Sequence, residues 1–429
     1  MIYVFTSCAL NYVPKAKLLI NSVRKHAPQV GVCLALADRI GKFREELERD
    51  FDLVISIDDL AEINNPAWCF KHTIVEFATG IKPFVLRKLL DREDCEAVFY
   101  FDPDTVLFSG IDRMIDELSS TNILLTPHLT DPEISQRGIE DNELSALRHG
   151  VYNLGYVGVR NTEEGKRFAN WWASRLKDYC RDDIPGGIFT DQRWCDLVPA
   201  FFDNVKVTRY PGYNVAPWNM TNRQIKRLSN GCYTVNGKPL VFYHFTGFDS
   251  GAHHIMMSLY SKNSPAAAEL FSWYKSELER TSGDPLSATQ WAFLTFDDGE
   301  PISKPQRETY RHREDLQRAF PNPFTVDKSR KKLTYKQWWY DTGVIELGLE
   351  EKSAATDSNV EAVRQSTVQP VPAKGKSGFG VFWMLLSSRE HRVRSYSLIR
   401  NTFYLWGIKG VIALVIRRIF PRVINWSRG

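Results

Sequence analysis

The sequence predicts an α/β fold: a mostly parallel, Rossmann-like sheet with flanking helices. Three observations carry that reading. Short apolar runs, "IYVFTSCA" (2–9), "VCLALAD" (32–38), "LVISI" (53–57), "AVFYF" (97–101) and "NILLTP" (122–127), have the length and composition of strands buried on both faces. Between them, "PKAKLLINSVRKHAP" (14–28) and "KPFVLRKLLDRE" (82–93) place their apolar residues at helical spacing. Strands that alternate with helices imply right-handed crossovers and parallel neighbours.

A second block, about 151–250, adds the strands "YNLGYVGVR" (152–160) and "LVFYHFTG" (240–247) around the helical "EEGKRFANWWASRLKDYC" (163–180). Together the two blocks read as one α/β domain over 1–250. Residues 251–350 read as a mainly helical extension, interrupted at "SKPQ" and "NPF". Residues 351–378 are poor in large apolar side chains and read as a flexible linker. The last segment, 379–429, combines aliphatic runs with arginines and Trp383, Trp406 and Trp426. Its uncharged stretches, such as Asn401–Ile408 and Gly410–Ile416, fall well short of the roughly 20 residues that span a bilayer. A basic amphipathic tail on the membrane interface is expected, with a helical subdomain packed on the body as the alternative.

Composition bounds the function. Hydrophobic residues make up 43% and charged ones 25%, the balance of a folded chain with a sizeable core. The seven cysteines are scattered with no CxxC pair, which suits a reducing compartment and argues against a disulfide framework or a zinc ribbon. The N-terminus shows no basic lead and no small-residue cleavage site, so a cytoplasmic location on the inner face of the membrane is expected. Net charge is +4, but from Lys374 onward eleven Lys and Arg face a single acid, Glu390. The basic character belongs to the tail, and its basic residues are interleaved with aliphatic runs, which disfavours nucleic-acid binding. No Gly-rich phosphate loop occurs, against P-loop and dinucleotide-binding folds.

The chemistry concentrates at "VFYFDPDTVLF" (98–108), where Asp102 and Asp104 follow directly on a buried strand. In parallel sheets ligands bind beyond the carboxyl ends of the strands. A carboxylate taken out of water needs a partner, a hydrogen bond or a metal. Two on one short turn can supply part of an oxygen-ligand site for Mg²⁺ or Mn²⁺, although the same turn can simply be capped by its aspartates. Three further segments stand out: "VYNLGYVGVRN" with Asn153 and Gly155, "GIFTDQRWCDLVP" with Asp191 and Gln192, and "LVFYHFTGFD" with His244 and Asp249.

In order and approximate spacing, these four motifs over residues 1–250 resemble those of GT-A-fold glycosyltransferases, family 8 in particular. The resemblance implies a GT-A catalytic domain over 1–250 with helical C-terminal additions, of which 251–350 would be the candidate acceptor region. It implies Asp102, Asp104 and His244 as ligands of Mn²⁺ or Mg²⁺, which would neutralise the diphosphate of a nucleotide-sugar donor. Lys82 resembles the family's donor-facing lysine. Thr6, Asn11 and Tyr12 match the loop that holds the base, with Asp38 in reach of the ribose. Asp191 and Gln192 match the residues beside the transferred sugar, and Asn153 with Gly155 those that position it. Tyr213, Asn214 and Trp218 in "RYPGYNVAPWNM" are candidate sugar contacts, with a structured loop as the plainer reading. One departure stands out: "HFTGFDSGAHH" lacks the lysine that follows in the family, so another cation must substitute, or the enzyme belongs to a related group. In an inverting relative, Asp249 would be a general base.

The expected activity is metal-dependent transfer, with retention, from a nucleoside diphosphate sugar, UDP-linked, to a carbohydrate or lipid-linked acceptor in surface polysaccharide assembly. The alternatives are a sugar nucleotidyltransferase, which the missing Gly-rich loop disfavours, and a catalytically silent carbohydrate-binding scaffold.

Overall fold

The computed structural model describes residues 1–344, except 262, 263 and 330. The expected linker (351–378) and tail (379–429) lie outside the described residues.

Seven strands form the central sheet. In chain order they are β1 (Ile2–Cys8), β2 (Gly31–Leu36), β3 (Leu53–Ser56), β4 (Ala97–Phe101), β6 (Ile123–Leu125), β7 (Tyr156–Arg160) and the short strand Val205–Val207. A separate strand, β5 (Thr105–Leu107), pairs outside this sheet. Across the sheet the order is Val205–Val207, β6, β7, β4, β1, β2, β3. Pairing is parallel from β4 through β1 and β2 to β3, and between β6 and Val205–Val207. Only β7 runs against its neighbours β4 and β6. The mixed α/β class with a mostly parallel sheet is therefore what the chain adopts.

Strand geometry explains why these runs are apolar throughout. Successive side chains point to opposite faces, and helices cover both faces. Val4, Val32 and Leu34 face α1 (Val13–His26) and its neighbours through Val13, Ala16, Leu19 and Val23. Phe5, Cys33 and Ala35 face the other layer, built from Phe77, Phe84, Leu89, Phe168 and Trp172. Trp172 is fully buried, and truncating such a residue to Ala costs about 3–5 kcal/mol.

Residues beyond 250 are joined closely to this body. Helices Ala252–Tyr260 and Pro265–Thr281 pack on β5 and on the strand Phe242–His244 through Met257, Leu270 and Tyr274. Further along, Trp291 donates its indole N–H to the Ala37 carbonyl (2.9 Å). Arg307 donates to the carbonyls of Phe70 and Phe293. Arg311, on the helix Lys304–His312, forms a buried pair with Glu76 at 2.6 Å. Among the described residues no helix is long and apolar enough to cross a membrane. The cysteines are all free, and all but Cys232 are buried.

Candidate active site

A cavity of about 760 Å³ opens beyond the carboxyl ends of β1 and β4. Its floor is the Asp102–Pro103–Asp104 turn. The fully buried strand β4 ends at Phe101, the Asp102 N–H donates to the Gly155 carbonyl (2.9 Å), and the Thr105 N–H closes the turn onto the Asp102 carbonyl (3.0 Å). The chain then continues into β5, which pairs antiparallel with Phe242–His244 and sets His244 opposite Thr105. The Phe245 N–H donates to the Asp104 carbonyl (2.8 Å), locking that register. A residue about 140 positions away is thereby delivered onto the aspartate turn.

The three side chains converge. His244 Nε2 lies 3.1 Å from Asp104 Oδ1 and 3.6 Å from Asp102 Oδ2, and one ligand atom from each residue falls within 4.8 Å of the others. Burial pushes the Asp104 carboxyl up, but His244 overrides this and holds it below its ordinary range; the His244 imidazole is raised in return. Two carboxylates and one imidazole are a donor set that Mn²⁺ accepts readily and Mg²⁺ less so. The residues fit a divalent cation.

The histidine ring owes its position to Gly155. A Cβ at that residue would lie 2.5 Å from His244 Cε1 and 2.7 Å from Asn153 Oδ1, so only glycine admits the ring so close to the β7 entry. The other ring nitrogen, Nδ1, is buried and without a protein partner.

Beside the turn, Lys82 opens the helix Lys82–Leu90 and is 5% exposed. Its ammonium reaches Asp102 Oδ1 (3.3 Å), Asp191 Oδ2 (3.2 Å) and the Leu154 carbonyl (3.2 Å), and lies 4.2 Å from the centre of the Tyr100 ring. Burial works against the Lys82 charge, but Asp102 and Asp191 outweigh it and raise its pKa, so it stays a cation. Asp191 is 3% exposed; burial raises its carboxyl, with Lys82 opposing. It follows Thr190, a β-branched residue held at φ +45°, where such side chains are strained. Gln192 accepts from the Leu154 N–H (3.2 Å) and donates to the His149 carbonyl (2.9 Å). Asn153 accepts from the Gly155 N–H (3.1 Å). These two amides brace the wall next to Asp191.

Twelve of the sequence-nominated residues line this one cavity: Asn11, Tyr12, Lys82, Asp102, Asp104, Asn153, Gly155, Asp191, Gln192, Trp218, His244 and Asp249. Four others do not. Thr6 is fully buried in β1. Asp38 is 1% exposed, and its carboxylate accepts backbone N–H groups from Leu10, Arg39 and Ala292, so it fastens the C-terminal extension where a ribose contact was expected. Burial pushes its carboxyl up to about 6. Tyr213 packs on Phe242 in the core, and Asn214, at φ +49°, is buried behind it; of that loop only Trp218 reaches the cavity.

The cavity is also lined by residues that no sequence motif singles out: Tyr100, His128, Asp141, Asn142, Ser145, His149 and Phe189. His128 was findable, because it follows β6 at the same edge of the sheet as Asp102 follows β4. Burial drops its pKa to about 4, so it is neutral, and Asn153 Nδ2 sits 3.1 Å from its Nε2. Residues 141–149 come from a helical connection whose pattern carries no comparable signal.

No family model matches the sequence. The chain is 29% identical to YfnD of Bacillus subtilis (strain 168) over 249 residues, 57% of this chain and 76% of that protein. It is 26% identical to YfnF of the same organism over 176 residues, 40% of this chain and 57% of YfnF, so it spans little more than half the length of that relative. Both are described as uncharacterized proteins. Among solved structures the chain is similar to the galactosyltransferase LgtC in complex with donor and acceptor sugar analogs. There the identity is 14%, covering 66% of this chain and 98% of that one, with a TM-score of 0.36. It is also similar to the bifunctional glycosyltransferase WbbM, at 13% identity over 65% of this chain and 51% of that one, with a TM-score of 0.36. Likeness of this degree assigns no chemistry. The side chains must do that.

Proposed function

We propose that the protein is a GT-A glycosyltransferase that transfers a sugar, with retention, from a nucleoside diphosphate donor to a carbohydrate or lipid-linked acceptor. The observation that carries this reading is the convergence of Asp102, Asp104 and His244 at the ligand edge of the sheet, with the Lys82–Asp191 pair beside them. Asp102, Asp104 and His244 would hold Mn²⁺ or Mg²⁺. A bound divalent cation neutralises the departing diphosphate and so makes it a better leaving group. Lys82 fixes the Asp191 carboxylate at the cavity wall, where it stabilises positive charge developing on the sugar. Asn153 and Gln192 hold the wall rigid and orient sugar hydroxyls. The donor is UDP-linked and the acceptor belongs to surface polysaccharide assembly. Residues 379–429 would keep the enzyme on the inner membrane face, and removing them is expected to abolish flotation with anionic liposomes; flotation unchanged without them removes this part of the reading.

The test is Mn²⁺-stimulated hydrolysis of UDP-sugars by Asp102→Asn and Asp104→Asn. Loss of the Mn²⁺ ligands costs roughly a hundredfold or more in turnover. Unchanged turnover in both variants removes the metal role, and with it this reading.

A further inference from the structure

We propose that Lys15 and Tyr12 form the seat for the donor's diphosphate, and that the Asp249 carboxylate fills this seat as an internal stand-in until the donor displaces it. The inference rests on the nucleotide-sugar reading above and adds the residues that recognise the leaving group.

Asp249 lies on the short segment between the strand that ends in His244 and the helix Ala252–Tyr260. Its carboxylate accepts from the Tyr12 hydroxyl (3.2 Å) and pairs through both oxygens with the Lys15 ammonium. Tyr12 and Asp249 line the same cavity as Asp102 and Asp104. The Lys15–Asp249 pair is asymmetric. The Lys15 side chain is only 18% exposed and its ammonium lies 4.3 Å from the centre of the Tyr12 ring, whereas Asp249 is 60% exposed. Lys15 is carried on α1 and keeps its contact with the Tyr12 ring independently of Asp249, while the carboxylate faces water and can leave. A pair this open to solvent on its acidic side is weak.

Charge balance says what would replace it. Asp102, Asp104, Asp191 and Asp249 face Lys15 and Lys82, and a divalent cation on the first two brings this group to neutrality. The diphosphate of a nucleotide-sugar donor then brings two more negative charges, about one on each phosphate, and the released nucleoside diphosphate about three. Lys82 is already committed to two carboxylates and a carbonyl inside the protein. Lys15 can exchange its solvent-exposed partner for a phosphate, which accepts stronger charge-assisted hydrogen bonds. Asp249 sits between Gly247 (φ +69°) and Gly251 (φ +76°), backbone positions suited to glycine that can swing the segment aside.

The test is calorimetric titration of the full chain with Mn²⁺ alone, then with inorganic pyrophosphate in saturating Mn²⁺. Lys15→Met is expected to weaken pyrophosphate binding about tenfold, with Mn²⁺ affinity and melting temperature unchanged; Lys15→Arg restores most of it. Asp249→Asn, at an exposed position, is expected to tighten pyrophosphate binding severalfold by vacating the seat. Wild-type affinity in both Lys15→Met and Asp249→Asn overturns this inference and leaves the metal reading intact. A wild-type protein that binds neither Mn²⁺ nor pyrophosphate overturns both.

Discussion

Gly155→Ala tests the metal site without touching a ligand. The added Cβ would sit 2.5 Å from His244 Cε1, 2.9 Å from Nδ1 and 2.7 Å from Asn153 Oδ1. Comfortable carbon contacts begin near 3.5 Å, so the imidazole must retreat by about 1 Å. Metal–ligand distances tolerate only about 0.2 Å, and disturbing the surroundings of a ligand typically weakens metal binding about 10–100-fold. Isothermal titration with Mn²⁺ should show a loss in that range, together with about 1–3 kcal/mol of destabilisation from overpacking. Gly158→Ala supplies the comparison. Its Cβ would press on Phe99 Cε1 at 2.8 Å, in β7 but away from the aspartate turn. That variant should lose stability and keep its Mn²⁺ affinity. If Gly155→Ala folds and binds Mn²⁺ within twofold of wild type, His244 is not a ligand and the site has been misread.

Three further outcomes are expected. Glu76, held by Arg311, has its carboxyl lowered from 4.5 to about 2 despite opposing burial. The pair therefore contributes on the order of 3 kcal/mol of stability above pH 4.5, lost progressively as pH falls toward 2. Chemical denaturation across that window should show the loss in the wild type, and Arg311→Met should be destabilised by about 3–5 kcal/mol at neutral pH with a flatter acid limb. Buried His72, lowered to about 3 chiefly by burial, adds to the acid sensitivity, because the stability it contributes is complete above pH 6.5 and lost below it. Thr190→Gly should leave stability within about 1 kcal/mol of wild type, since glycine accepts φ +45° freely. It should still lower turnover of UDP-sugar by freeing the Asp191 backbone; unchanged turnover would show that the strained turn does not position Asp191.

Much of the scaffold was legible because the relevant forces are local. The run 97–101 was read to the residue, and the helix expected over 14–28 forms as Val13–His26, because apolar periodicity and strand-length runs are intrinsic to the chain. The helix Ile74–Gly80 also carries a local signature in the sequence. Thr73 and Glu76 form a reciprocal capping box, a T-x-x-E signature ahead of an apolar run. That helix lines the cavity and anchors Arg311. The nominations that failed to reach the cavity show the limit. Asp38, Tyr213 and Asn214 sit in plausible places along the chain, but nothing local reveals that Trp291 and Ala292 dock over the end of β2, or that the Tyr213 ring is needed under Phe242.

By itself the chain determined which residue types stand at the ends of strands: Asp102 and Asp104 after β4, His244 as the last residue of its own strand, Asp191 before a helical turn. Whether they meet was settled only by pairing at long range. The ladder between β5 and Phe242–His244 brings the imidazole to the carboxylates, and Lys82 spans the gap from Asp102 to Asp191. Distances of this kind depend on strand register and on a missing Cβ at Gly155, quantities set by the packing of distant segments and invisible in any short window of sequence.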